Sequence, residues 1–302
     1  TDALFAMMRV LGRHGDTEGL RRVEEFYRRC RREDVAIAVA QTDVKGDRSK
    51  RPSEQKDPDL FVRVSEKRSD GIVVRGAKIH TSYSPCVDEI IVLPGRSMAA
   101  DDGAWSVAFA VPPGTKGLKL YATDFHHGTE DPWTRPISAS HKTVETLTVF
   151  EDVFVPWERV FFEGRPDIAG ATALAFVEYH RFTAVSYKLP LLDLLVGAAI
   201  SIARANGVER AGHVREKLTW LIGYAESVRG LTHLAAQRAG VEQGIAYPDV
   251  LTTNLAKWIF ARDFHSAVEK LQDLSGGILV TGPSGMDWDV PEIRGVLEKY
   301  LQ

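Results

Sequence analysis

The 302 residues, 44% hydrophobic and 26% charged, predict an ordinary globular protein of two domains with a large apolar core. The net charge of −3 argues against nucleic acid or an anionic membrane as a partner. The two cysteines, Cys30 and Cys86, form no CxxC motif or Cys/His cluster, which argues against a zinc site and fits a reducing cytoplasm.

Apolar residues at helical spacing open the chain. Leu4, Met7 and Leu11 form one such run, and a second begins after Thr17, a suitable N-cap. We expect residues 1–34 to be the end of an N-terminal helical domain that is largely missing from this chain. The first four residues carry no signal-peptide pattern, so a cytoplasmic location is expected.

The hydrophobic period changes to two at about residue 35. A turn at Ser69-Asp70-Gly71 separates two apolar segments and predicts a β-hairpin. Many short strands separated by Gly/Pro turns are typical of a barrel or sandwich. We therefore expect residues 35–165 to form a central β-barrel, with strands near 35–40, 60–64, 71–76, 78–83, 89–93, 105–111, 118–121, 146–150 and 160–162.

After Gly164 the pattern returns to helix, and residues 166–302 are expected to form a C-terminal helical bundle. The longest apolar stretch, 189–202, contains Pro190 and Asp193. It is shorter than the about 20 residues that a membrane span needs, so it predicts a buried core helix. The order of helices, β-domain and helical bundle indicates an α+β fold. The candidate helices of the bundle are 169–187, 191–206, 210–240 and 248–275.

The most unusual segment follows the apolar strand 35–40. It places two cations, two carboxylates and a glycine within eight residues, namely Gln41, Thr42, Asp43, Val44, Lys45, Gly46, Asp47 and Arg48. A phosphate-bearing ligand needs backbone N–H groups and a cation beside a flexible glycine, and this segment offers both. It matches neither a Walker loop nor GxGxxG, and a solvated turn is an equal alternative on composition alone.

Two further segments carry candidate chemistry, namely His80, Thr81 and Ser82, and then His180, Tyr187 and Lys188. The hydroxyls of the first segment stand near a strand end and could bond a heteroaromatic ring, with a polar edge strand as the plainer alternative. In the second segment, the histidine and tyrosine are seven residues apart and share a helix face. With the lysine they could perform acid–base chemistry near neutral pH, whereas a lone helical histidine is more often structural.

Several motifs occur in one order along the chain: Thr42–Arg48, Asp57–Leu60, Glu66–Arg68, Asp70–Lys78, Val149–Phe161, Tyr179–Arg181 and Asp273–Thr281. Together they resemble the 4-hydroxyphenylacetate 3-hydroxylase / 4-hydroxybutyryl-CoA dehydratase family of acyl-CoA dehydrogenase-like flavoproteins. The likeness runs from about Asp34 to Pro283. It implies a helical N-terminal domain, a central β-barrel and a C-terminal four-helix bundle, usually within a tetramer.

The resemblance also implies FAD as the cofactor. The segment matching Gln41–Arg48 cradles FAD in the family, and the segment matching His80–Ser82 touches the isoalloxazine ring. In the dehydratase branch three cysteines and a histidine hold an iron–sulfur cluster. His180 matches that histidine, but Tyr187 stands where a ligand cysteine is expected, so no cluster or other metal is expected here. The hydroxylase branch carries a histidine before its FAD loop, where Ile37 stands in this chain.

These features predict a FAD-dependent oxidoreductase, with a two-component flavin monooxygenase as the first choice. Such an enzyme takes reduced FAD from a separate reductase and uses O2 on a small aromatic or related substrate. The second choice is a cluster-free flavoenzyme that acts on an acyl-CoA, and the third is a flavin-binding subunit without catalysis. We expect a homotetramer or homodimer with no membrane or nucleic-acid partner.

Overall fold

The computed structural model of the chain describes residues 2–123, 136–141 and 143–301. These residues form two units, each with its own apolar core. The first unit contains residues 2–123, 143–177 and 242–245, and the second contains residues 136–141, 178–241 and 246–301. The division at residues 34 and 165 that the sequence suggested stays a prediction.

Two helices precede the first strand. Helix α1 spans Asp2–Arg13 and is buried along most of its length, and helix α2 spans Thr17–Glu33. The N-cap of α2 is Asp16, because its carboxylate accepts a hydrogen bond from the Gly19 N–H at 2.9 Å. The sequence pointed to Thr17 instead, which is the first residue inside the helix.

The first unit contains eight strands, in chain order β1 (Ile37–Ala40), β2 (Arg63–Lys67), β3 (Gly71–Lys78), β4 (Glu89–Val92), β5 (Val107–Val111), β6 (Leu118–Ala122), β7 (Thr146–Pro156) and β8 (Val160–Glu163). One four-stranded sheet has the order β1-β4-β5-β8, with β1 parallel to β4 and the other pairs antiparallel. The other sheet has the order β2-β3-β7-β6 and is antiparallel. The hairpin predicted at Ser69-Asp70-Gly71 joins β2 to β3.

The two sheets do not close into the predicted β-barrel within the residues that the structure describes. Their inner faces share one apolar core, in which the Phe109 and Phe150 rings meet edge to face at 5.8 Å, so the sheets form a sandwich. The chain beyond β1 reaches the second sheet at one corner, through an isolated bridge between Asp43 and Lys78. All four residues of β1 pair with β4, and the chain meets β3 just beyond them, at Asp43.

The predicted C-terminal helical bundle is confirmed. Helix α6 packs on α5 and α7 around Leu192, Tyr224 and Phe260. The acyl-CoA dehydrogenase-like order of helices, β-sheet domain and helical bundle is therefore present. The elements outside the two sheets and the first two helices are α3 (Pro136–Ser140), α4 (Pro166–Ser186), α5 (Leu189–Ala205), α6 (Gly212–Gln237), β9 (Gly240–Glu242), β10 (Ile245–Tyr247), α7 (Val250–Ser275), α8 (Ile278–Thr281), α9 (Gly285–Trp288) and α10 (Pro291–Tyr300).

The stretch Pro166–Ala205 is long and apolar enough to cross a membrane, judged by length and composition alone. The structure divides it into α4 and α5, which are separated at Tyr187 and Lys188. Helix α5 buries Leu192 and Ala199 in the core of the bundle. It is a core helix, as the sequence predicted.

Candidate functional site

The predicted FAD segment begins directly after β1, and Lys78 binds its first residues. The Lys78 Nζ atom donates to the Gln41 carbonyl oxygen at 3.0 Å, to Asp43 Oδ1 at 2.6 Å and to the Leu93 carbonyl oxygen at 2.7 Å. The side chains of Lys78 and Asp43 are only 3% and 8% exposed. A lysine is almost never buried unless it is paired, and this one joins the segment to β3 and to the end of β4.

The second carboxylate oxygen of Asp43 is also bound within the protein. Arg96 Nε donates to Asp43 Oδ2 at 3.2 Å, while the Arg96 guanidinium lies 4.6 Å from the centroid of the Phe61 ring. A Cβ atom on Gly95 would lie 2.7 Å from Asp43 Oδ2, so this close approach requires glycine. Asp43 is therefore a positioning residue, and its predicted contact with a cofactor stays a prediction.

The rest of the segment is more exposed. Gly46 has a φ of 56°, in the left-handed region that favours glycine. Gln55 braces the turn, because Asp47 N–H donates to Gln55 Oε1 at 3.0 Å and Gln55 Nε2 donates to the Asp47 carbonyl at 2.9 Å. Lys45 and Arg48 are exposed, and neither pairs with a carboxylate of the described residues. Two positive charges beside a glycine turn suit a phosphate-bearing ligand.

The second predicted segment leaves β3 through strained backbone. His80 and Tyr83 both have a φ of 59°, which is uncommon for residues other than glycine and is often found at functional sites. Thr81 is fully buried, and its hydroxyl oxygen accepts a hydrogen bond from Thr148 Oγ1 at 3.0 Å. Thr81 thus supports the turn from within the protein, whereas His80 and Ser82 are exposed.

Ser82 contacts a carboxylate that the sequence did not single out. Its Oγ atom donates to Glu145 Oε1 at 2.7 Å. Glu145 immediately precedes β7, and its Oε2 atom is buried without a hydrogen-bond partner. The two residues are 63 positions apart, so no local pattern in the sequence identifies this pair.

The backbone brings the two predicted flavin segments side by side. The Ile79 N–H donates to the Thr42 carbonyl oxygen at 2.9 Å, so the chain after β1 runs beside the end of β3 that leads into His80. Val44, two residues further along, is half-buried. The segments 41–48 and 80–82 therefore adjoin at one corner of the first unit. Their joint use as one FAD site stays a prediction.

The acid–base candidates lie in the second unit. His180 is exposed on α4, and Tyr187 is 61% exposed just beyond the end of that helix. Lys188 is half-buried, with its Nζ atom 4.6 Å from the centroid of the Phe260 ring. Burial and, secondarily, the charge of Lys257 lower the pKa of Lys188 below its ordinary value. The role of these three residues in proton transfer stays a prediction.

Known families match both parts of the chain. Residues 1–162 match the N-terminal part of 4-hydroxyphenylacetate 3-hydroxylase, and residues 169–302 match its C-terminal part. The chain belongs to the 4-hydroxyphenylacetate 3-hydroxylase family. This family includes 4-hydroxybutyryl-CoA dehydratase, and the resemblance read from the sequence is therefore confirmed.

Two curated relatives represent the two branches of the 4-hydroxyphenylacetate 3-hydroxylase family. The 4-hydroxybutyryl-CoA dehydratase/vinylacetyl-CoA-Δ-isomerase of Clostridium aminobutyricum is 33% identical over 97% of this chain and 61% of the relative. The oxygenase component of 4-hydroxyphenylacetate 3-monooxygenase from Thermus thermophilus is 31% identical over 93% of this chain and 58% of the relative. The chain thus spans about three fifths of the length of these relatives.

Solved structures agree with the family assignment. An archaeal 4-hydroxybutyryl-CoA dehydratase from N. maritimus superposes with a TM-score of 0.92 at 31% identity, covering 99% of this chain and 61% of that one. The oxygenase component of 4-hydroxyphenylacetate 3-monooxygenase, complexed with FAD, gives 0.88 at 30% identity over 99% of this chain and 64% of that one. Butyryl-CoA dehydrogenase of Megasphaera elsdenii, at 17% identity and 0.60 over 82% and 59%, shares the fold alone.

Proposed function

We propose that the protein is a two-component FAD-dependent monooxygenase, which receives reduced FAD from a separate reductase and uses O2 on a small aromatic substrate. The observation that favours this reaction over dehydration is Tyr187, which occupies the position of a cluster-ligating cysteine in the dehydratase branch. A phenol does not replace a thiolate on an iron–sulfur cluster in the usual way.

The residues of the first unit fit a flavin dinucleotide. Segment 41–48 would hold the pyrophosphate, because Lys45 and Arg48 offer positive charge and Gly46 lets the backbone approach closely. The planar guanidinium of Arg48 suits bidentate contact with phosphate oxygens. Segment 80–82 would hold the ring. When bound in its reduced form, FAD supplies the electrons that activate O2.

Lys188 is the residue we propose for proton transfer, with His180 and Tyr187 as its partners. The lowered pKa of Lys188 brings its protonated and neutral forms closer in free energy, so it can give or take a proton more readily than an exposed lysine. The neighbouring Tyr187 hydroxyl can accept or donate a hydrogen bond. His180 lies on α4, which ends one residue before Tyr187.

A second candidate is a cluster-free flavoenzyme that acts on an acyl-CoA. One observation favours it: two dehydratases are among the similar proteins, at 33% identity in sequence and a TM-score of 0.92 in structure. A third candidate is a flavin-binding subunit without catalysis. It would bind FAD and show turnover with neither phenols nor CoA thioesters.

We also propose that the protein self-associates as a homodimer or homotetramer. Leu251, Leu255 and Trp258 recur at i, i+4 and i+7 on α7 and are 69%, 40% and 55% exposed, which is a large apolar stripe for a solvated helix face. A monomeric mass of the full-length protein at micromolar concentration would contradict this. A cytoplasmic location, without membrane or nucleic-acid partners, stays a prediction.

The decisive experiment supplies the purified full-length protein with FAD, a flavin reductase, NADH and O2. A monooxygenase consumes O2 and converts a phenol such as 4-hydroxyphenylacetate to a hydroxylated product. No such product should form when the protein is left out of the reaction. Conversion of 4-hydroxybutyryl-CoA or another CoA thioester without O2 would favour the second candidate. The absorbance spectrum of the same preparation separates bound flavin from flavin with an iron–sulfur cluster.

A further inference from the structure

Glu145 carries a carboxylate oxygen for which the described part of the protein supplies no donor. Its Oε1 atom accepts from Ser82 Oγ at 2.7 Å, whereas Oε2 is buried and has no hydrogen-bond partner. Two other buried side-chain oxygens in the described residues share this property, on Thr172 and Thr253. Those are helical hydroxyls, for which a carbonyl of the same helix is a common acceptor. Glu145 is the one acceptor among the three that normally carries a full charge.

Glu145 is held in place through both its backbone and its side chain. Its backbone N–H donates to Thr123 Oγ1 at 3.3 Å, and its carbonyl accepts from the Thr123 N–H at 2.8 Å. The side chain is bound at Oε1 by the Ser82 hydroxyl. An atom that is buried, immobilised and without a donor is costly, because a carboxylate loses its hydration and gains nothing in exchange. Such a group calls for a partner other than the described residues.

Hydroxyl groups close to Glu145 are already occupied with one another. Ser84 Oγ lies 2.6 Å from Thr146 Oγ1, which lies 2.9 Å from Thr148 Oγ1, and Thr148 in turn donates to Thr81. All four residues are buried. This chain of hydroxyls supports the strained segment that contains Ser82, and its members bond one another instead of Glu145 Oε2.

We infer that Glu145 Oε2 accepts a hydrogen bond from an N–H or O–H group on an aromatic ring bound at segment 80–82. This inference rests on the proposed function, in which that segment holds the ring. The donor is either an N–H on the polar edge of the flavin or the O–H of a phenolic substrate. A carboxylate selects such a donor, because in its ionised form it only accepts hydrogen bonds.

Replacing Glu145 with methionine and with glutamine tests this contact. Glu145→Met removes both acceptor oxygens at nearly constant length, and a hydrogen bond to a charged group is worth roughly a tenfold to hundredfold change in affinity. Glu145→Gln should lose less, because its amide can turn its oxygen to the ligand and its NH2 group to Ser82. Glu151→Met is the matched control, since Glu151 lies on β7 with its side chain 52% exposed and paired with Lys119.

Three quantities are measured on the full-length parent and each variant: the thermal midpoint without ligand, the Kd for FAD, and the Kd for 4-hydroxyphenylacetate with FAD bound. The midpoint of ligand-free Glu145→Met should equal or exceed that of the parent, because an unpaired buried charge is removed. A structural glutamate would instead lower it. Weaker FAD binding identifies the flavin as the donor, and weaker phenol binding alone identifies the substrate.

The inference is overturned if both affinities of Glu145→Met equal those of the parent, or if both Glu145 variants fail to fold, because the carboxylate would then serve the fold. If the parent binds FAD and Glu145→Met binds it with equal affinity, the proposed function still stands. A parent that binds no FAD overturns the proposed function and the inference together.

Discussion

Replacing Lys78 with methionine tests how the FAD segment is held. The change keeps an unbranched side chain of similar length and removes the ammonium group that bonds Gln41, Asp43 and Leu93 at 2.6–3.0 Å. It leaves the Asp43 carboxylate, which is 8% exposed, facing Arg96 alone. Two carbonyl oxygens lose the same donor.

The magnitude follows from burial. Removing one partner of a buried ion pair costs about 3–5 kcal/mol, because the other charge is left uncompensated. Arg96 stays 3.2 Å from Asp43 but is 34% exposed, so it offsets only part of this loss. We therefore expect the free energy of unfolding to fall by about 3–4 kcal/mol. FAD affinity should fall as well, because the start of the segment is no longer fixed.

The assay is urea unfolding of the FAD-free full-length protein in a double-mutant cycle with Asp43→Asn. The double variant should cost less than the sum of the single variants, because neither charge is then stranded. Lys119→Met is the control, since Lys119 forms an exposed ion pair with Glu151 and should change stability little. A Lys78→Met protein within about 0.5 kcal/mol of the parent, or an additive cycle, would refute the reasoning.

Three further predictions concern the cofactor and the proton-transfer candidate. Arg48→Ala should weaken FAD binding by roughly tenfold to hundredfold and leave the thermal midpoint of the FAD-free protein unchanged, and equal affinity would make the segment a solvated turn. Because the pKa of Lys188 is lowered on folding, its charge costs stability below the folded pKa, and this cost disappears as the pH rises toward 10.5. Relative to Lys188→Met, the parent should therefore gain stability with rising pH; a constant difference in urea unfolding would contradict this. The full-length protein should contain no stoichiometric iron or acid-labile sulfide, because Tyr187 replaces a ligand cysteine, and finding both would falsify that argument.

The secondary structure followed closely from local patterns. The switch of hydrophobic period near residues 35 and 164 matches the first strand at Ile37 and the helix that begins at Pro166. Such periods are visible because each element must bury one side of itself. Which residue caps a helix was not visible in the same way: Asp16 and Thr17 are both good caps, and only the path of the backbone decides between them.

The candidate site also combines features that are visible in the sequence with contacts that only the folded structure shows. Lys45, Gly46 and Arg48 could be predicted as binding residues because charge and backbone flexibility are properties of single residues, and these three lie together in sequence. The pairing of Lys78 with Asp43 and that of Ser82 with Glu145 span 35 and 63 positions, and nothing local distinguishes them from solvated charges. The sequence singled out Asp43 and Ser82 as candidates and gave no means of finding their partners.

The sequence by itself determined the order of helices, strands and bundle, the family, and the two segments proposed to bind FAD. The tertiary structure decided that the strands form an open sandwich instead of a closed barrel, that Asp43 holds the segment in place, and that Glu145 keeps an unmatched oxygen. Periodicity and motifs record what each residue does with its neighbours along the chain. Strand closure and burial of a charge depend on residues that meet only after folding, so the energies that decide them have no trace in local sequence.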